Sequence, residues 1–163
     1  MTVTINGDGT ITPTSAIQPT GSILQVLQYV KSDTATTTST SFVDTGISQA
    51  ITPSATSSKI LVIYNVYMGH TQSEVSFINL VRDSTTIAQP STSANYPATS
   101  LQYIGALVMQ QHSVAYLDSP STTSSITYKL QYRCDANTIY LNRYSGNDNY
   151  HGISTLTLME IAG

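Results

Sequence analysis

Three histidines, one cysteine and nine acidic residues are the groups in this 163-residue chain best suited to holding a metal or moving a proton. The histidines are His70, His112 and His151, and no two stand at an H-x-x-x-H or similar metal-ligand spacing. Cys134 is the single cysteine, so it has no partner for a disulfide or a thiolate cluster. Glycoside hydrolysis needs two carboxylates facing across a groove, and no neighbouring acidic pair stands out. The nucleophile-elbow pattern G-x-S-x-G, the phosphate loop G-x-x-x-x-G-K-[ST] and the dinucleotide fingerprint G-x-G-x-x-G are all absent from the sequence. The expectation is a protein with no catalytic, metal-binding or cofactor-binding residues, in which each histidine is a half-exposed loop or strand-end side chain.

The remaining chemistry belongs to hydroxyls and aromatic rings. Twenty-five Thr and 22 Ser stand where charges usually do, since only 9% of the chain is charged against about 25% in an ordinary soluble domain. Threonine suits a half-exposed pleat, and such surfaces are common on extracellular and virion β-proteins. Eleven tyrosines accompany two Phe and no Trp. Most should pack across strands with their hydroxyls reaching water. The segment "NRYSGNDNYHG" is different, because its Tyr144, Asn147, Asp148, Asn149 and Tyr150 could present rings and hydrogen-bonding groups to a partner or to a glycan. Turn-forming residues also dominate any long hairpin loop.

The six basic residues, Lys31, Lys59, Arg82, Lys129, Arg133 and Arg143, are scattered and the net charge is −3. Nucleic-acid binding is not expected, since a phosphate backbone calls for clustered cations. The longest apolar runs, "ILVIY" and "ALVM", fall far short of a membrane span. The first residues carry neither a basic nor an apolar leader region, so no signal peptide is expected and synthesis in a cytoplasm is the reading.

Strands must position whatever this protein uses. In "ITYKLQYRC", Ile126, Tyr128, Leu130, Tyr132 and Cys134 alternate with Thr127, Lys129, Gln131 and Arg133, the period of a half-buried strand. Residues 59–69 are apolar on both faces and should be covered on both. Further strands are expected at 74–83, 138–144 and 153–162, and one with a break near Gly46. Residues 101–118 are too long for one flat strand and should bend at Gly105 or at "QQH". "SILQVLQYVK" (22–31) has apolar residues at helical spacing, but its β-branched content favours a strand. Ser/Thr/Pro/Gly segments, such as "SDTATTTST" and "AQPSTSANYPATS", read as connections. The sum is an all-β, antiparallel, jelly-roll-like sandwich over residues 21–163. Residues 1–20 read as an arm and linker. There Val3, Ile5 and Ile11 flank the turn residues Asn6, Gly7, Asp8 and Gly9, the makings of a β-hairpin.

Several stretches resemble a module widespread in tailed phages: "GSILQVLQ", "TSTSFVDTGISQAITPSATSSKILV", "VAYLDSPSTTSSITYKLQYR" and the terminal "STLTLMEIAG". The opening "TVTINGDGTIT" also resembles the start of many such phage proteins. They are labelled tail-fibre or virion structural proteins. The resemblance runs from about residue 21 to the end and is weakest over about 70–112. It implies a β-rich homotrimer on the virion surface, and it brings no catalytic residues with it. A long fibre needs a shaft, which this chain does not show, so a short fibre or a capsid decoration protein is the expectation. A hairpin too small to be stable alone can dock on other virion proteins of capsid or tail through its free strand edges. A lectin-like tip for host surface glycans is the alternative, and a depolymerase the remote one.

Overall fold

The computed structural model describes residues 3–5, 7–8, 11–13, 19–91 and 95–163. Within them there are strands and turns and no helix. β1 (Val3–Ile5) and β2 (Ile11–Pro13) form a separate antiparallel pair. The body begins with β3 (Ile23–Lys31), so the segment with helical spacing is a strand, as its β-branched residues favour.

After β3 come β4 (Ala35–Thr37), β5 (Val43–Ile51), β6 (Lys59–His70), β7 (Glu74–Arg82), β8 (Thr85–Ile87) and β9 (Ser100–Ile104). β10 (Met109–Asp118), β11 (Ile126–Cys134), β12 (Ile139–Leu141) and β13 (Ser154–Ile161) complete the chain. The first sheet runs β10–β6–β13–β3, with β12 and β4 continuing the last two rows past the end of β13. The second runs β5–β11–β7, with β9 and β8 sharing the far edge of β7.

The pairing is nested: β3 with β13, β5 with β11, β6 with β10 and β7 with β9. Successive pairs fall in alternate sheets. The chain is therefore one long hairpin rolled into two facing sheets, which is a jelly roll. All the pairings are antiparallel, so each strand shows one face to the core and one outward. Along β6 the inward side chains Ile60, Val62, Tyr64, Val66 and Met68 are fully buried. They meet Tyr128, Leu130 and Tyr132 of β11 and Leu156 and Leu158 of β13 in a single core.

Two expectations need correction in detail. Residues 101–118 do not form one bent strand. The chain breaks after Ile104, turns through Gly105–Val108 with Leu107 at φ 54°, and crosses to the other sheet. The Ser/Thr-rich connections also contain strands, β4 within 32–40 and β8 after the Asp83 turn. The break at Gly46 is present. Its φ of +78° lies in the left-handed region that glycine tolerates, beside a register shift between Lys129 and Gln131 of β11.

Buried polar ties pin the roll. Asp118 on β10 accepts hydrogen bonds from Arg82 (2.7 Å) and from the Tyr128 hydroxyl (2.6 Å), joining the two sheets. Asn142, fully buried with φ 58°, donates to the carbonyls of Lys31 and Asp33, holding the β12–β13 connection against β3. Glu160 on β13 accepts from the Ser54 backbone and hydroxyl and from Gln25. Burial alone would raise its carboxyl, but those hydrogen bonds outweigh it and hold the group at about 2.

Candidate functional site

Four places on this scaffold bear on function. The first is the hairpin at the chain start, where Val3 pairs with Pro13, Thr4 with Thr12 and Ile5 with Ile11. Gly7 and Asp8 lie exposed in its turn. Asn6 and Gly9 fall outside the described residues, as does the stretch 14–18 that would be the linker. The structure brings the two expected strands together across residues 6–10, a connection longer than the two-residue turn that Asn-Gly or Asp-Gly favours.

The second is the loop between β12 and β13, which gathers Tyr144, Asn147, Asp148, Asn149 and Tyr150. A bridge between Arg143 and His151 closes its base. The Tyr144 and Tyr150 rings meet edge to face at 5.9 Å between centroids. The Asp148 carboxylate lies 2.8 Å from Arg143 Nε and 3.1 Å from His151 Nε2. The Asn149 N–H donates to the Asn147 side chain. Much of the loop's polar capacity is thus used internally, and the exposed Tyr150 ring is what it offers outward.

The third is a histidine cluster in the core, where half-exposed side chains were expected. His70 and His112 are both buried. His112 Nε2 lies 2.8 Å from the Ser76 hydroxyl and Nδ1 lies 3.1 Å from the Ser100 hydroxyl. The Tyr64 hydroxyl donates to Ser100. His70 Nδ1 lies 3.1 Å from Glu74, which also accepts from Asn137. Burial, with the nearby His70 adding to it, pushes His112 down to about 4. Burial also lowers His70, against the opposing pull of Glu74. The serine–imidazole contact has the length of a nucleophile–base pair. Yet the second ring nitrogen meets a hydroxyl where a triad has a carboxylate, and Ser76 is fully buried, out of reach of a substrate. Both ring nitrogens of His112 are satisfied in an inter-sheet network, whereas His70 Nε2 is buried without a hydrogen-bond partner among the described residues. No group of three or more metal-ligating side chains occurs among the described residues.

The fourth is the contrast between the outer faces of the two sheets. Register across the first sheet gives the rows Leu117–Leu61–Met159–Val26, Ala115–Ile63–Thr157–Gln28 and Ser113–Asn65–Thr155–Val30. None of these twelve side chains is charged. Val26, Val30 and Leu117 are about half exposed. The amides on this face are spent across strands, Gln28 to Thr157 and Gln111 to Asn65. The apolar outward side of β6 is thus flanked by neighbouring strands, and the second layer expected over it is not formed by the described residues.

The outer face of the second sheet is covered instead. Phe77, Asn79 and Arg133 point outward from adjacent positions on β7 and β11, yet each is at least nine-tenths buried. The segments 38–42, 86–91 and 95–99 fold over them and leave an open pocket of about 550 Å³. Its lining includes Phe42, Asn79, Gln89, Tyr96 and Arg133. The Arg133 guanidinium stacks 3.7 Å from the Phe77 ring centroid, with the Tyr96 and Phe42 rings at 5.1 and 5.5 Å. Sequence reasoning placed Arg133 on the outward face but saw no site there, because its neighbours come from four separate segments.

Among the described residues, no helix is long and apolar enough to cross a membrane. No protein-family model matches the sequence, and no curated protein matches it. Among solved structures, a chain in the structure of infectious bursal disease virus, Gt strain, aligns with 12% identity and a TM-score of 0.43. The alignment covers 99% of this chain and 47% of that one, so the chain spans under half the length of its viral counterpart.

Proposed function

We propose that the protein is a structural component of a tailed-phage virion surface, a short fibre or capsid decoration protein that assembles as a homotrimer. The observation that carries this is the uncharged outer face of the first sheet. Seven of the twelve side chains in its rows are apolar, and Val26, Val30 and Leu117 among them stand about half exposed, the kind of contiguous apolar surface that marks an interaction site. The ordered resemblance of four stretches to phage tail-fibre modules supplies the particle type and the count of three. The hairpin 3–13 is the attachment element, offering free strand edges to capsid or tail proteins.

Light scattering with purified protein at micromolar concentration tests this. The expected mass is three times 17.5 kDa. The double variant Val26→Asp, Met159→Asp places charges on adjacent strands of the face and should give a folded monomer with an unchanged β-type circular dichroism spectrum. A monomeric wild type, or a double variant that stays trimeric, overturns the assignment of this face.

A further inference from the structure

We propose that the Arg133 pocket on the outer face of the second sheet binds a saccharide that carries a carboxylate. This inference is independent of the assembly face, which lies on the other sheet.

Charge comes first. Arg133 is a cation only 6% exposed, and none of the residues lining the pocket is acidic. The nearest carboxylate among the described residues, Asp135, is exposed and stands 4.0 Å away, at the outer limit of an ion pair. The guanidinium's described polar contacts all use Nη1, which reaches the carbonyls of Thr40 and Cys134 and the Asp135 carboxylate. Nε and Nη2 have no partner among the described residues. A guanidinium presents these donors as a planar fork that matches a carboxylate in a bidentate pair. Two carbonyls and three aromatic rings hold the cation in place, and its Nε and Nη2 are not among the sealed, unpartnered atoms, so that edge stays available to an anionic ligand.

Shape and polarity identify the rest of the ligand. A volume of about 550 Å³ lies within the usual range for small-molecule sites, about 300–1,000 Å³. Gln89 donates to Asn79 at 3.0 Å. That leaves the Asn79 amide as a donor and the Gln89 carbonyl as an acceptor, side by side at the pocket. Paired donor and acceptor groups of this kind suit vicinal hydroxyls. The Tyr96 and Phe42 rings supply apolar walls for the C–H face of a sugar ring. A small inorganic anion would use the arginine and leave these amides and rings idle.

The probes are digalacturonate, its neutral counterpart galactobiose, and sulfate, each titrated into the full chain and followed by calorimetry and by amide NMR shifts. Digalacturonate should bind at least tenfold more tightly than galactobiose and than sulfate, with shifts centred on residues 77–79, 89, 96 and 133. Tyr96→Ala and Gln89→Ala change the pocket wall without touching the core, and each should weaken digalacturonate binding by at least fivefold. Arg133→Lys keeps the charge but removes the fork, and should erase most of the preference over galactobiose. Equal affinity for the two disaccharides, sulfate binding as tightly as digalacturonate, shifts centred elsewhere, or no binding at millimolar concentration overturns the proposal. Loop variants that bind like wild type overturn it as well.

Discussion

Acidification from pH 7 to pH 5 should cost this protein about 2 kcal/mol of stability through His112 alone. The imidazole is 3% exposed, hydrogen-bonded on both nitrogens to the Ser76 and Ser100 hydroxyls, with His70 nearby. Its folded value lies at about 4 against an ordinary 6.5. The folded state therefore binds its proton less readily than the unfolded chain. The stabilisation is complete above the unfolded value and is lost as pH falls toward the folded one. At about 1.36 kcal/mol per pH decade, the complete loss is on the order of 3 kcal/mol, and about 2 kcal/mol of it falls between pH 7 and 5. His70 is lowered as well and adds to the loss with the same sign. Asp33, Asp44 and Glu160 lie below their ordinary values of 3.8, 3.8 and 4.5, so they stay ionised in both states at pH 5 and contribute little there. Urea unfolding at pH 7 and pH 5, at one fixed protein concentration because assembly couples to stability, measures the difference. His112→Gln keeps a donor and an acceptor and cannot titrate, so its loss over the same interval should be smaller by about 2 kcal/mol. Equal losses in wild type and variant, or an NMR titration that puts His112 near 6.5, would refute the reasoning.

Deleting residues 1–13 should leave the 19–163 body folded and trimeric while removing it from particles. Normal occupancy of the truncated protein on particles would move the attachment role to the body, and loss of the trimer would make the hairpin part of its core. Cys134 is fully exposure-free, its thiol contacts the Ser39 and Asn137 carbonyls, and burial raises its pKa; a thiol reagent should label it only after denaturation, and rapid labelling of native protein would contradict that. Gly69→Ala should destabilise by about 1–3 kcal/mol, because an added Cβ would come 2.5 Å from the Arg143 carbonyl oxygen; an unchanged urea midpoint would show that the loop yields freely.

Local periodicity decided a large part of this protein. The alternation in residues 126–134 is enough to name a strand, its buried side and the burial of Cys134, because successive side chains on any strand point to opposite faces. Gly46 announced its break for an equally local reason, since the left-handed backbone there favours glycine. The β-branched residues of 22–31 outweighed their helical spacing in the same way. Even the all-β sandwich class follows from many short strands with turn residues between them.

What tertiary structure alone decided is which strands meet. The nested pairing of β3 with β13 and β5 with β11 joins residues 75 to 138 positions apart, and no local pattern encodes those partners. The crossing at Gly105, which looked like a bend in one strand, exists because β9 and β10 belong to different sheets. His112 became a core residue because β10 turns it between Ser76 and Ser100, although its own neighbours Gln111 and Ser113 are exposed. The Arg133 pocket is the clearest case. Alternation sends that side chain outward, which in sequence terms means toward water. Only the folding of 38–42, 86–91 and 95–99 across the sheet buries it, and places rings and amides from distant segments around a single cation.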